Sequence, residues 1–284
     1  MTIQFDTLEA DRALKSKHRQ VWALGDYPAV AAEVIPQLGR RLVEAVHAGP
    51  GQRVLDVAAG SGNAALPAAL AGADVVASDL TPELLAAGRA DAERRGIRLS
   101  WEEGDAEALP YPDGAFDTVM SCVGVMFAPH HQAAADELVR VTRPGGTVGL
   151  ISWTPEGFIG QMFAAMKPYV PAPPPGVQPP PLWGSETHVG ALLGDRVEDL
   201  VTRRQTVQVD LFATPEAFRD YFKSHYGPTI AAYRGLDGAP EKVAALDRDL
   251  ADLARRFDLA GAETGRIVME WEYLLVTGRV RSGR

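Results

Sequence analysis

The sequence predicts an α/β fold built on a doubly wound, mainly parallel sheet, and three observations carry that prediction. From Arg53 to Trp153 short apolar runs alternate with amphipathic stretches. The first run leads through an acid into a glycine turn, Val54-Leu55-Asp56-Val57-Ala58-Ala59-Gly60-Ser61-Gly62-Asn63. The runs are spaced as strand-helix-strand units, whose right-handed crossovers lay the strands parallel and put helices on both faces.

Taken in order, residues 12 to 47 read as a helical flank, with Val30, Val34, Leu38, Leu42 and Val46 recurring every four positions and Pro28 and Pro36 interrupting. Strands are predicted at Val54 to Val57, Asp74 to Ser78, Leu99 to Glu103, Phe116 to Ser121 and Gly146 to Trp153. Helices fall between them at 62 to 71, 82 to 95 and 131 to 141. Gly157 to Lys167 carries a helical apolar face, and the proline-dense stretch from Pro168 to Pro181 reads either as a semi-rigid extended loop over the sheet edge or as a plain spacer. Val201 to Phe212 and Arg266 to Val280 alternate like strands, whereas Thr214 to His225 and Glu241 to Leu259 read as helices. Thr214-Pro215-Glu216 supplies a capping hydroxyl and then a proline in the first turn. The organisation expected is a flank at 1-48, a nucleotide-binding core at 49-153, and a remainder at 154-284 whose insertions, 154 to 200 and 213 to 265, cover a substrate within the same domain.

Composition narrows the function. A 46% apolar chain of 284 residues has ample material for a core. Acidic residues outnumber basic ones, 37 to 28, and no basic block is long enough to neutralise several phosphates, so nucleic acid is not an expected partner. The single Cys122 excludes an internal disulfide and a multi-cysteine zinc site. No apolar run approaches the roughly 20 residues that span a bilayer, and Met1 to Asp11 does not read as a leader. A cytoplasmic, soluble enzyme is the expectation.

The turn after the first strand permits close approach of backbone amides to a bound molecule, and the next helix aims its N-terminal N–H groups at the same place. Asp79, with Leu80 beside it, closes the second strand where a ribose would meet the sheet. Asp105 and Ala106 follow the third strand, placed for an adenine amine and ring. Each has a plain alternative: Asp79 caps the helix that begins at Thr81, and Asp105 starts a turn. Their joint order favours a nucleotide-type ligand. Phe218, Tyr221, Phe222 and His225 share a helical face, so His225 or Tyr226 is the expected acceptor contact or base, although core packing uses the same pattern.

These motifs together resemble the class I S-adenosylmethionine-dependent methyltransferases, in the small-molecule branch similar to ubiquinone and menaquinone-biosynthesis enzymes. The resemblance rests on Val54 to Gly62, Asp79, Gly104 to Asp117 and Arg143-Pro144-Gly145-Gly146, and covers residues 50 to 153. It implies S-adenosylmethionine as cofactor, with Asp56, Ala58 and Gly60 at its methionine end, Asp79 on the ribose, and Asp105 and Ala106 on the adenine. Ser121 and Cys122 would border the methionine moiety, and Trp22 and Tyr27 resemble an aromatic cover. It also implies seven strands, mostly parallel, with an antiparallel last strand, Val268 to Gly278, beside Val201 to Leu211.

Ala58 departs from the family pattern where a glycine is more usual, which is tolerable if its φ stays negative. Pro129-His130-His131 stands where relatives carry an acid, so no role transfers there and no metal is expected. The acceptor is expected to be an apolar or aromatic small molecule, methylated at O, N or C, in a cavity of Met126, Phe127, Met162, Phe163, Met166, Tyr169, Trp183 and the 218 to 226 helix. An NAD(P)-linked oxidoreductase and a non-catalytic nucleoside-binding module are the alternatives. Acids near the site suit the positive sulfonium and ammonium of the first ligand, and hydride transfer does not need them.

Overall fold

The structure, a computed structural model, describes residues 2–261 and 265–282, with first-helix side chains from Glu9 onward. Met1, residues 262–264 of the last insertion, and residues 283–284 lie outside the described residues. Seven strands form one sheet: β1 Arg53–Val57, β2 Asp74–Asp79, β3 Ser100–Glu103, β4 Phe116–Cys122, β5 Thr142–Trp153, β6 Val197–Val209 and β7 Met269–Val280. Their order across the sheet is β3-β2-β1-β4-β5-β7-β6. β7 runs antiparallel to both neighbours, and every other pair is parallel. The expected sheet, with its antiparallel last strand, is therefore what the chain forms.

Parallel strands buried on both faces need continuous apolar runs, and β1 supplies one. Leu55 pairs with Val76 on one side and Val119 on the other, and Leu55 and Val119 are fully buried. β6 is the other kind of strand: it lies at the edge and its burial alternates, as the period-two reading of 201 to 212 predicts.

The helical flank is three helices rather than one. α1 (Thr2–Trp22) ends before Gly25, which takes a positive φ, and α2 (Tyr27–Ala29) begins with Asp26 Oδ1 accepting from the Ala29 N–H at 3.0 Å. α2 passes into a π-helical turn at Val30–Val34 before Pro36 opens α3 (Pro36–Ala45). Both prolines sit at helix starts, where a missing N–H costs nothing. α4 (Ala65–Leu70), α5 (Pro82–Arg94) and α6 (His131–Val141) are the crossovers. α4 is shorter than the predicted 62 to 71 because Gly62 has a positive φ, +89°, that holds the chain in a turn.

Beyond β5 come α7 (Phe158–Met166), α8 (Glu186–Leu193), α9 (Pro215–His225), α10 (Gly227–Arg234) and α11 (Pro240–Phe257). α8 and α10 are absent from the sequence reading; both are short, and α10 opens on Gly-Pro. β5 begins at Thr142 rather than at the expected Gly146, so Arg143 to Gly146 belongs to the strand, with a register shift opposite Phe116 to Thr118. The proline stretch reaches the start of α6. Its Gln178 N–H donates to the Pro129 carbonyl at 3.0 Å, and its side-chain oxygen accepts from the His131 N–H at 3.2 Å, so it runs beside the start of α6. Among the described residues no helix is long and apolar enough to cross a membrane.

α3 reaches the middle of the sheet because Gly149 leaves room for it. A Cβ there would stand 2.0 Å from Val46 Cγ1 and 3.3 Å from Leu42 Cδ1. Gly149→Ala is therefore expected to lower stability by about 1–3 kcal/mol, the usual range for overpacking. Urea unfolding followed by circular dichroism measures it, and an unchanged midpoint would contradict this seating of α3.

Candidate active site

The strand order reverses between β1 and β4, and in open parallel sheets the crevice outside the carboxyl ends of such strands is where ligands bind. Two turns meet there. Ala58 follows β1 with φ +53°, and Val123 follows β4 with φ +56°, so two non-glycine residues face each other in the left-handed region. Such conformations cost on the order of 1 kcal/mol each and persist where the surroundings enforce them. A Cβ on Gly124 would lie 2.1 Å from the Ala58 carbonyl oxygen, so the turns touch. The negative φ expected at Ala58 is thus overturned. The chain reverses at once so that the Ala59 N–H can donate to the Ser78 carbonyl at 3.0 Å and the Gly62 N–H to the Ala59 carbonyl at 2.8 Å.

A cavity opens at these turns, where ligands of open parallel sheets bind. Of the residues singled out in the sequence, Trp22, Tyr27, Ala58, Gly60, Asp79, Leu80, Asp105 and Ala106 line it. Asp79 is buried and fully engaged: Oδ2 accepts from the Gly60 N–H and Oδ1 from the Thr81 N–H, both at 2.8 Å. Burial pushes its carboxyl upward from the ordinary range, while those backbone donors pull the other way. The carboxylate keeps lone pairs for further donors.

Asp56, Ser121 and Cys122 stand behind the turns rather than on the cavity surface. The Ser121 hydroxyl donates to the Val57 carbonyl at 2.6 Å and accepts from the Val125 N–H at 2.8 Å, pinning the β4 turn to β1. The buried Cys122 Sγ accepts from Asn63 Nδ2 at 3.7 Å, and burial, then the Asp56 charge, pushes its thiol up. Asp56 is only 1% exposed, and neither carboxylate oxygen has a hydrogen-bond partner. Burial pushes its carboxyl up to about 8; the nearby Ala65 N–H opposes that rise and the Asp79 charge adds to it.

A second, smaller cavity adjoins the first and is lined by Val30, Ile35, Trp153, Ile159, Phe222, Tyr226 and Trp271, with Tyr27, Val123 and Phe127 common to both. Trp22 packs on the shared wall, its ring 5.3 Å from Tyr27, 4.6 Å from Phe127 and 5.7 Å from Tyr226. Of the expected acceptor residues, Phe127, Phe222 and Tyr226 reach this cavity. Met126, Met162 and Trp183 are instead wholly buried core. His225 borders neither cavity: its ring stacks on Tyr221 at 4.2 Å, and its Nδ1 lies 2.8 Å from Ser224 Oγ and 3.0 Å from the Tyr221 carbonyl. The helix turns at Tyr226, which sends that side chain inward and leaves His225 on the outer face.

Sequence reasoning missed Lys15 and His18, which also line the larger cavity. The signal was present, since positions 11, 15, 18 and 22 share one helical face. Among the described residues one grouping could hold a metal ion, Asp11, Glu107 and His130. The Lys15 ammonium already lies 2.9 Å from Asp11 and 2.9 Å from Glu107, so a cation of the protein's own fills it.

Residues 54–146 match the family described as methyltransferase domain. The chain is 53% identical over 281 residues to an uncharacterized protein of Mycobacterium tuberculosis, covering 99% of this chain and 100% of that one. It is 40% identical over 128 residues to the demethylmenaquinone methyltransferase of Thermus thermophilus, covering 44% of this chain and 58% of that enzyme. Among solved structures, a putative methyltransferase from Bacillus halodurans superposes with a TM-score of 0.56 at 21% identity, over 86% of this chain and 99% of the other.

The raised Asp56 carboxyl has a measurable consequence. An acid with an ordinary value near 4 when unfolded and about 8 when folded makes stability fall as pH rises between those values and level off above them. Asp56→Asn removes that slope, so its advantage over the parent is expected to grow from pH 4 to 8, with an upper bound on the order of 4 kcal/mol at pH 7. Thermal or urea unfolding across that range measures it, and parallel pH profiles for the two proteins would contradict the assignment.

Proposed function

Because the chain belongs to the class I S-adenosylmethionine-dependent methyltransferases, we propose that it uses S-adenosylmethionine in the larger cavity to methylate an O, N or C nucleophile of an apolar or aromatic small molecule seated in the smaller one. Membership in that family sets aside the oxidoreductase and the non-catalytic module. The observation that carries the proposal is the shared wall of Tyr27, Val123 and Phe127, through which one cavity meets the other. A cytoplasmic site of action and a small-molecule rather than nucleic-acid acceptor belong to the same proposal, supported by the net charge of -9.

The residues present fit the cofactor. The Ala58, Gly60 and Gly124 backbone forms a cradle that larger side chains would fill, and the unpartnered Asp56 carboxyl lies behind it, suited to a cationic group. Asp79 with Leu80 would hold the ribose, Asp105 and Ala106 the adenine, and Ser121 and Cys122 would back the methionine end. When bound, S-adenosylmethionine supplies a methyl group already activated on a sulfonium. The protein's share is then to align the acceptor and exclude water, effects worth up to about 7–11 kcal/mol. Trp22, Tyr27 and Phe127 form the dry wall for that task.

No carboxylate or imidazole lines the smaller cavity. Tyr226, which of the two phenols lines this cavity alone, is the group assigned to the acceptor, and because burial holds its phenol well above the ordinary range, it acts as a neutral hydrogen-bond donor. Of the pair His225 and Tyr226, Tyr226 carries the proposal.

Calorimetric titration should show S-adenosylhomocysteine binding and no NAD binding; the reverse result would sink the cofactor assignment. Asp79→Ala should weaken S-adenosylhomocysteine by about 1–3 kcal/mol, and unchanged affinity removes Asp79 from the site. With radiolabelled methyl donor and an organic extract as acceptor source, Tyr226→Phe should lower incorporation about tenfold at unchanged cofactor affinity. Equal incorporation would leave Tyr226 a wall residue only.

A further inference from the structure

α1 lies over the larger cavity, contributing Lys15, His18 and Trp22 to its lining, yet from Glu9 to Trp22 its residues are only half-buried or exposed. Hydrophobic anchoring alone is thus a weak account of its position. Besides the edge-on packing of Trp22 at its end, an ionic contact holds it. Lys15 Nζ contacts Asp105 Oδ2 at 2.7 Å, Asp11 Oδ2 at 2.9 Å and Glu107 Oε2 at 2.9 Å, and the lysine side chain is only 15% exposed. One of these acids is on α1 itself; the other two follow β3. Burial by itself would lower the lysine pKa, but the hydrogen bonds to Asp105, Glu107 and Asp11 overcome it and keep Lys15 charged.

The acids are in turn fixed from the core side. The Glu107 N–H donates to Asp105 Oδ1 at 2.9 Å, the His130 N–H donates to Glu107 Oε1 at 2.6 Å, and His130 Nδ1 lies 3.0 Å from Glu107 Oε2. Arg19 adds a looser contact to Glu103 at 3.6 Å. These bonds tie the acids to the segment after β3 and the start of α6, across the contact from α1.

We propose that Lys15 is a positioning residue that clamps α1 shut over the cavity and orients Asp105 at its edge, so that α1 works as an ionic lid. The lid's link to the cofactor rests on the functional proposal above; the clamp itself does not. Removing the ammonium leaves acidic groups of α1 and the core facing each other, since ligand atoms of Asp11 and Glu107 lie within 4.8 Å of one another. Like charges at that separation repel, and Asp11 leaves with α1. Because the lysine is largely buried while Asp11 and Asp105 are partly exposed, salt should weaken the clamp in part.

The test has two arms. In unliganded protein, hydrogen exchange of the α1 amides at 13–22 is expected to quicken at least about tenfold in Lys15→Met. Lys15→Arg should restore most of the protection, and adding Asp11→Asn to Lys15→Met should restore part of it by removing the repulsion. In the second arm, S-adenosylhomocysteine should dissociate about tenfold faster from Lys15→Met than from the parent; 0.5 M NaCl (roughly a 4 Å screening length) should speed release from the parent and not from the variant. Unchanged exchange of α1 in Lys15→Met overturns the clamp. Faster exchange with unchanged dissociation and no salt effect on the parent overturns the lid. Failure of S-adenosylhomocysteine to bind even the parent would overturn the cofactor assignment instead, while the exchange arm still decides the clamp.

Discussion

The close approach of two backbone turns is the constraint on which the site depends. Ala58 and Gly124 touch across the gap between β1 and β4, and no side chain at Gly124 could fit without displacing the Ala58 carbonyl. That contact requires left-handed backbone at Ala58 and Val123, neither a glycine. The sheet enforces it from below, through Ser121, whose hydroxyl ties the two strand ends together. A cavity whose floor is main chain rather than side chain presents N–H and C=O groups at short range, which suits a polar, charged ligand.

Around this floor the protein holds acids in places where burial disfavours their charge. Asp79 is compensated by two backbone donors and Asp56 by almost nothing. An uncompensated buried carboxyl lowers stability, and one placed behind a ligand cavity is tolerated when a cationic ligand can restore its charge. The outer acid, Asp105, is compensated differently, by a lysine from α1. Charge is thus treated in opposite ways along one side of the site: Asp56, deepest, has no partner, and the rim acid is already paired.

Next to the cavity that these acids border lies one lined by apolar and aromatic side chains. The two share the aromatic wall of Tyr27 and Phe127, against which Trp22 packs edge-on. On the proposed reading, the first space would take the cofactor and the dry aromatic space the acceptor.

Much of this was legible in the residues. Apolar runs at Val54 to Val57 and Phe116 to Ser121, with the glycine turn and Asp79 and Asp105 at strand ends, determine strands, their parallel order and the position of the cavity, because strand burial and turn geometry are local in sequence. What local patterns do not encode is which face meets which distant element. His225 and Tyr226 are neighbours in sequence, and only the turn into α10 sends Tyr226 inward and His225 out. Met162 and Trp183 carry the composition of a ligand pocket but lie in the core, since packing and binding use the same side chains. Lys15 is an ordinary surface lysine in sequence; its three acids come from α1 and from the segment after β3. The sequence by itself therefore determined the sheet, the methyltransferase motifs and the turn that opens on the cavity. The tertiary structure alone decided the strained φ at Ala58, the apolar cavity and the Lys15 clamp, because each arises from contacts between segments far apart in the chain.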